Sequence, residues 1–411
     1  VINKEALALA AKINKAEGEG TIVVASQMKI ARRFTTGSVA LDIAIGGGWP
    51  GNQWVEVVGM ESHGKTTIVY KTIAANQAAD PDFTTLWIAA EHYDESWAAS
   101  LGVDNERVLV IPTQGMEFAY QTMLEFAASR SVDCIVLDSY PALIADEEAE
   151  KDMDEAVMAL GARLTGKFFR KAGAATKRSL TDPADRPILG IIINQYRDKI
   201  GGYSPHGTPK TTPGGNAKNF AFYVRVEVRR DDWIKEKRPG MGEVNVGQTI
   251  KVKTIKNKSA APQQVASVDF YFSDATIDGF SFKKGEYDTV KEIVTLGVLY
   301  GVIQRRGAYF DVGGNRIQGR DALVQALRES PDLLEQVKQE VLAVAFQRQE
   351  PVTDEELNAA ATAGKKTVKR SKRGSATEDV AQAGEGRGEV TGRTDDHSVR
   401  EPVDPEERHE D

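Results

Sequence analysis

Apolar residues along the 411-residue chain fall into short runs separated by stretches of helical spacing. WVEVVG (54–59), TTLWIA (84–89), RVLVI (107–111), CIVLD (134–138) and ILGIIIN (188–194) are continuous runs of strand length. Between several of them, residues 65–79 and 116–129 carry helical patterns. Strands that are apolar on both faces and alternate with helices predict a largely parallel sheet covered by helices. FYVRVEVRR (222–230) and TIKVKTIKNK (249–258) alternate with period two and predict antiparallel additions at one edge. Residues 3–16 predict a short amphipathic helix ahead of this body.

Residues 286–349 change character. Helical segments there flank a hairpin-like GAYFDVGGNRI, which predicts a small α+β domain. Past residue 350 hydrophobic residues thin out and a disordered tail is expected. The resulting division is 1–30 for the helix and its linker, 31–275 for an α/β core, 276–349 for the small domain and 350–411 for the tail.

Charge changes this picture only once it is divided. The net charge is −8, and residues 374–411 hold 12 acidic against 4 basic side chains. Residues 1–373 therefore hold 48 of each sign and are neutral. An acidic whole-chain balance is thus no argument against nucleic-acid binding. A basic cluster (Lys365, Lys366, Lys369, Arg370, Lys372, Arg373) precedes the acidic end. Cys134 is the single cysteine, which excludes disulfide scaffolds and Cys-rich zinc sites and favours a cytoplasmic protein. No apolar run is long enough for a membrane helix, so no membrane partner is expected.

GMESHGKTT (59–67) fits G-x-x-x-x-G-K-[ST] between a predicted strand and a predicted helix, the context this motif requires. Gly59 and Gly64 allow backbone amides to approach phosphate. Lys65 suits the β- and γ-phosphates, and Thr66 suits Mg²⁺. Glu61, Ser62, His63 and Thr67 complete the phosphate-binding set. Asp138 ends an apolar strand and suits Mg²⁺ or its water, so Thr66 and Asp138 form the candidate metal pair. Glu91 follows TTLWIA at the carboxyl edge of the sheet and is the candidate group to activate water, an exposed loop carboxylate being the alternative. Trp97 is either a base-stacking platform or a packing indole. These features describe an α/β P-loop ATPase without naming its work.

The ordered set resembles one family: the bacterial RecA-type homologous recombinases, including phage-encoded members. The resemblance runs from about residue 5 to about 345. It rests on TGSVALDIAIGGG (36–48), GMESHGKTT, AEHYDESWAASLGVD (90–104), VDCIVLDSYPAL (132–143), INQYRDKIGG (193–202), TTPGGNAKNF (211–220) and KNKSAAP (256–262). It implies a RecA-type core with an N-terminal polymerisation helix. It also implies an ATP- and Mg²⁺-dependent, DNA-dependent ATPase that forms filaments on single-stranded DNA, takes up duplex DNA and exchanges strands in recombination and repair. Single-strand-binding and loader proteins are further partners it admits. A repair ATPase or helicase-type motor on the same core is the competing reading.

Carried over by position, Glu91 matches the catalytic glutamate, and Asp94 and Trp97 match the adenine contacts. Gln195 matches the glutamine that senses the γ-phosphate, and Lys256 and Lys258 match lysines that reach a neighbouring subunit's ATP. Two DNA-facing loops are implied. The first, near 148–158, includes Met158 and leads into a helix carrying Arg163 and Arg170. The second, 197–213, includes Arg197, Ile200 and Tyr203 and ends in Gly214, Gly215 and Asn216. Lys251 and Lys253 match a secondary DNA site. Arg305, Arg306, Arg316 and Arg320 are candidates for a basic face on the small domain, and the acidic tail resembles the family's autoinhibitory tail in sign. The sequence departs from the family in Ala89 before the catalytic glutamate, in a segment after it shorter by one residue, in His63 within the phosphate loop and in a longer second DNA loop.

Overall fold

The computed structural model describes residues 2–18, 20–28, 32–150, 160–176, 186–198, 210–348 and 350–364. In chain order its main helices are α1 (Lys4–Glu17), α2 (Val39–Ile45), α3 (Lys65–Ala79), α4 (Glu95–Ser100), α5 (Met116–Ser129), α6 (Leu160–Ala175), α7 (Ala217–Ala221), α8 (Thr289–Leu299), α9 (Arg320–Glu329), α10 (Pro331–Ala345) and α11 (Asp354–Thr362). The strands of the central sheet are β1 (Gln53–Gly59), β2 (Thr85–Ala89), β3 (Val108–Pro112), β4 (Cys134–Asp138), β5 (Leu189–Gln195), β6 (Val224–Arg238), β7 (Gly242–Asn257) and β8 (Val265–Tyr271). They lie in the order β8-β7-β6-β1-β5-β4-β2-β3.

Every pairing from β6 through β3 is parallel, and only β7 and β8 add antiparallel. The antiparallel addition expected at one edge therefore begins one strand later, because β6 joins the core parallel to β1. Period-two alternation reports a half-buried strand and carries no information on its direction. Alternate residues feed two apolar layers. Val55, Val57, Trp87 and Val136 face one, while Trp54, Leu86, Ile88 and Ile135 face the other. Gly190 on β5 is required there, since a Cβ would lie 2.2 Å from the Trp54 ring.

The segment after 276 packs directly on the core, and its Val290, Ile293 and Val341 share the layer that contains Val55 and Trp87. Glu292 of α8, fully buried, accepts from the Ser38 hydroxyl and from the Ala40 amide at 3.0 Å. The helical stretch over 321–346 divides into two helices, because Pro331 starts α10 at its first position. Part of the tail expected from 350 is helical. Thr353 and Glu356 form a capping box that starts α11, and Leu357 and Ala360 are buried. The basic cluster and the acidic end lie outside the described residues. Among the described residues, no helix is long and apolar enough to cross a membrane.

Candidate functional site

The phosphate loop forms where β1 ends and α3 begins. Its two glycines are there for space and conformation. A Cβ on Gly59 would lie 2.2 Å from the Val228 carbonyl oxygen, and Gly64 has φ +96° and would meet Ile250 at 2.8 Å. The Lys65 ammonium donates to the Met60 carbonyl at 2.7 Å, which keeps it within the loop. The Thr66 hydroxyl donates to Asp138 Oδ2 at 3.1 Å.

Parallel pairing places the strand ends side by side, with Ala89 opposite Asp138 and Gly59 opposite Gln195. The Glu91 amide donates to the Asp138 carbonyl at 2.9 Å, which fixes the turn after β2. Gln195 Nε2 donates to Glu91 Oε1 at 3.3 Å, and the Ser139 hydroxyl donates to the same oxygen. The structure thus brings Lys65, Thr66, Asp138, Glu91 and Gln195 into one cluster at the carboxyl edge of the sheet. Ser139 belongs to it and escaped the sequence reading. The signal available was its place directly after the strand-ending aspartate.

Burial pushes the Asp138 carboxyl up to about 7, with a further push from Glu91; the Thr66 hydroxyl and the Lys65 charge oppose it. Burial also lowers the Lys65 ammonium, against the pull of Asp138, Glu91 and Glu61. A buried carboxylate beside a hydroxyl is a hard-oxygen pair short of positive charge. Among the described residues no group of three or more His, Cys, Asp or Glu could hold a metal by itself. That donor set fits Mg²⁺, which binds through one or two protein oxygens, phosphates and water. His63 is held by burial and by the nearby Arg230 and Lys65 below its usual value, and its Nδ1 is buried without a partner.

The base contacts are placed less simply. A cavity of about 440 Å³ opens beside Glu91, lined by Ala89, His92, Tyr93, Asn105 and Pro112. Asp94 caps α4, its Oδ1 accepting from the Trp97 amide at 2.9 Å and the Ser96 hydroxyl at 2.8 Å. Trp97 is half-buried outside that cavity lining, edge-to-face with Phe270 at 6.2 Å and with the Lys284 ammonium 4.9 Å from its ring centre. These contacts pack part of the indole and leave it only half-buried.

Lys256 donates to the Asn219 and Phe220 carbonyls at 2.6 and 3.1 Å, and Lys258 to Phe220 at 3.4 Å. Both point at the C-terminal end of α7 rather than at Lys65. Arg163 and Arg170 are exposed on α6, as is Arg197 after β5. A Cβ on Gly215 would lie 3.0 Å from Ala162, so the glycine turn before α7 is seated on α6 beside those arginines. Gly214 and Gly215 have φ +105° and +70°, so both hold the left-handed backbone that favours glycine. Asn216 is exposed next to them. Met158, Ile200 and Tyr203 lie outside the described residues.

Two expected DNA contacts are buried instead. Lys251 is buried and paired with Asp231 at 3.3 Å and Asp354 at 3.0 Å, the latter from α11. Arg320 is buried too, donating to the Ala360 carbonyl and the Thr295 hydroxyl, so it is no part of a basic face. Arg305, Arg306 and Arg316 remain exposed on a three-stranded sheet of residues 304–318.

Residues 4–277 match the RecA N-terminal domain, and residues 291–345 match the RecA C-terminal domain. The chain belongs to the RecA family. It is 39% identical over 345 residues to Protein RecA 1 of Myxococcus xanthus, covering 82% of this chain and 93% of that one. Against Protein RecA of Thermus thermophilus it is 36% identical over 336 residues, 80% of this chain and 91% of that one. Against Protein RecA of Trichormus variabilis it is 35% identical over 336 residues, 80% and 86%. Accordingly the protein is an ATP-dependent recombinase and a DNA-dependent ATPase of the RecA family, which binds DNA and assembles with itself.

Proposed function

We propose that hydrolysis and DNA binding meet at Gln195. The observation that carries this is its 3.3 Å hydrogen bond to Glu91 at the end of β5, where the chain turns into the 197–213 loop. Lys65 and the loop amides would hold the β- and γ-phosphates, and Thr66 and Asp138 would hold Mg²⁺. The bound ion would supply charge neutralisation on the phosphates. Glu91 takes the proton of the attacking water. Ser139 and Gln195 both donate to Oε1, which leaves Oε2 as the oxygen to accept it.

Asp94 and Trp97 are assigned to the adenine by the family resemblance alone. Lys256 and Lys258, turned away from their own phosphate loop, would complete a neighbour's site in the filament. The first turn of α6 and the Gly214–Asn216 turn, with Arg163, Arg170 and Arg197, would track the backbone of single-stranded DNA without sequence preference. Met158, Ile200 and Tyr203 would add contacts to bases. Self-assembly has a physical motive in α1, which buries no residue and exposes Leu7 and Leu9. The edge strand β3 and α5 expose Leu109, Val110 and Phe118. Duplex uptake, strand exchange, a cytoplasmic location and contacts with single-strand-binding or loader proteins follow from the same reading.

The test is steady-state ATP hydrolysis with and without single-stranded DNA, with Glu91→Gln alongside. Stimulation by DNA that the variant lacks is the expected result. Equal turnover with and without DNA would defeat the proposal.

A further inference from the structure

Three residues before the phosphate loop, Glu56 sits in β1 with no exposure to solvent. A carboxylate there needs partners, and it has three. Oε1 accepts from Lys218 Nζ at 3.1 Å and from Asn194 Nδ2 at 2.8 Å, and Oε2 accepts from Arg225 Nε at 2.5 Å. Lys218 spends its other two N–H groups on the Thr212 hydroxyl at 2.6 Å and the Asn219 side-chain oxygen at 3.0 Å. Asn194 donates again to the Pro213 carbonyl at 3.2 Å, and its own oxygen accepts from the Gln195 amide at 2.9 Å.

These contacts join two ends of one loop. Residues 194–195 are where the chain leaves β5, and residues 212–213 are where it returns. The two legs between are paired, Arg197 with Thr211 and Asp198 with Lys210. We infer that the buried Glu56–Lys218 pair, bridged by Asn194, is the positioning element that ties the return leg of the 197–213 loop to the Gln195 end of the nucleotide site. The inference rests on the proposed role of that loop in DNA binding and names the residues that carry the coupling.

The charge balance sharpens it. One carboxylate faces two cations, so Arg225 alone would neutralise Glu56. A second buried cation adds desolvation cost, and burial lowers the Lys218 ammonium accordingly. What Lys218 supplies beyond charge is three fixed donors, one of them aimed at the loop through Thr212. A residue needed only to fill space here could be apolar. Lys218→Met therefore leaves Glu56 paired with Arg225 and Asn194 and is expected to fold.

The experiment measures single-stranded DNA affinity of the full chain with and without a non-hydrolysable ATP analogue. The ratio of the two is the coupling factor, and by linkage it equals the effect of DNA on analogue binding. Lys218→Met is expected to reduce that factor at least about fivefold, within the range typical of coupled sites. Thr212→Val, which removes only the hydroxyl that Lys218 reaches, is expected to reduce it about twofold. Circular dichroism melts establish that each variant folds; if Lys218→Met does not, Thr212→Val decides. A wild-type factor retained by every folded variant overturns this inference alone. A wild-type protein with no nucleotide-dependent gain in DNA affinity overturns the proposed function and this inference together.

Discussion

Two charged clusters, one fully buried and one open at Glu91, share the end of β1, and they are built to opposite specifications. Around Glu56 one carboxylate meets two cations, and both its oxygens are occupied at 2.5–3.1 Å. Around Asp138 two carboxylates face one lysine, whose ammonium is turned to a loop carbonyl. The first cluster is satisfied from within the chain and holds shape. The second is short of positive charge, and that deficit is what a metal–nucleotide complex would meet. Within a few residues of one strand, polar burial serves structure in one case and chemistry in the other.

The largest expected effect separates the clusters by activity. Glu91→Gln keeps the geometry and removes the base, and should lower ATP turnover by about 10²–10⁴-fold, read by phosphate release. Stability separates them next. Glu56→Gln leaves Lys218 and Arg225 without a buried counter-charge and should destabilise the protein by about 3–5 kcal/mol in chemical denaturation.

Asp138→Asn should do the reverse, raising the stability of the nucleotide-free protein by roughly 1–3 kcal/mol at neutral pH while abolishing hydrolysis. Burial lifts the Asp138 carboxyl from 3.8 to about 7 in the folded chain. The native state therefore binds an extra proton between those values, and stability falls as pH rises through that window. The wild-type minus Asp138→Asn difference in melting temperature should widen from pH 5 to pH 7.5. A flat difference would remove the contrast between the clusters. Smallest of all, Thr353→Ala should cost about 1 kcal/mol by uncapping α11. That loss is read as a lower midpoint in chemical denaturation, and an unchanged midpoint would show that the cap does not hold α11.

The phosphate loop was legible because its chemistry is local: glycines, lysine and threonine lie within nine residues, between a strand and a helix. Asp138 and Glu91 were legible for a related reason, since a polar residue ending an apolar strand sits at the sheet edge. The Glu56 cluster was not. Its partners stand 138, 162 and 169 residues away, and although the family resemblance puts Arg225 near the base of the second DNA loop, nothing local to Glu56 points to any of them. Trp97 shows the same limit, because its amphipathic setting allows stacking or packing and only the fold supplies Phe270 and Lys284. The direction of β6 has no sequence signature at all. Pro331 and the Thr353–Glu356 box, by contrast, were present as local signals for the helix break and for α11.

In the proposed function one hydrogen bond, Gln195 to Glu91, joins the water-activating carboxylate to the DNA loop. Gln195→Leu tests it most directly through the ratio of ATP turnover with single-stranded DNA to turnover without it. The ratio is expected to fall towards one in the variant while DNA stimulates the wild type strongly. A variant that keeps the wild-type ratio would contradict it.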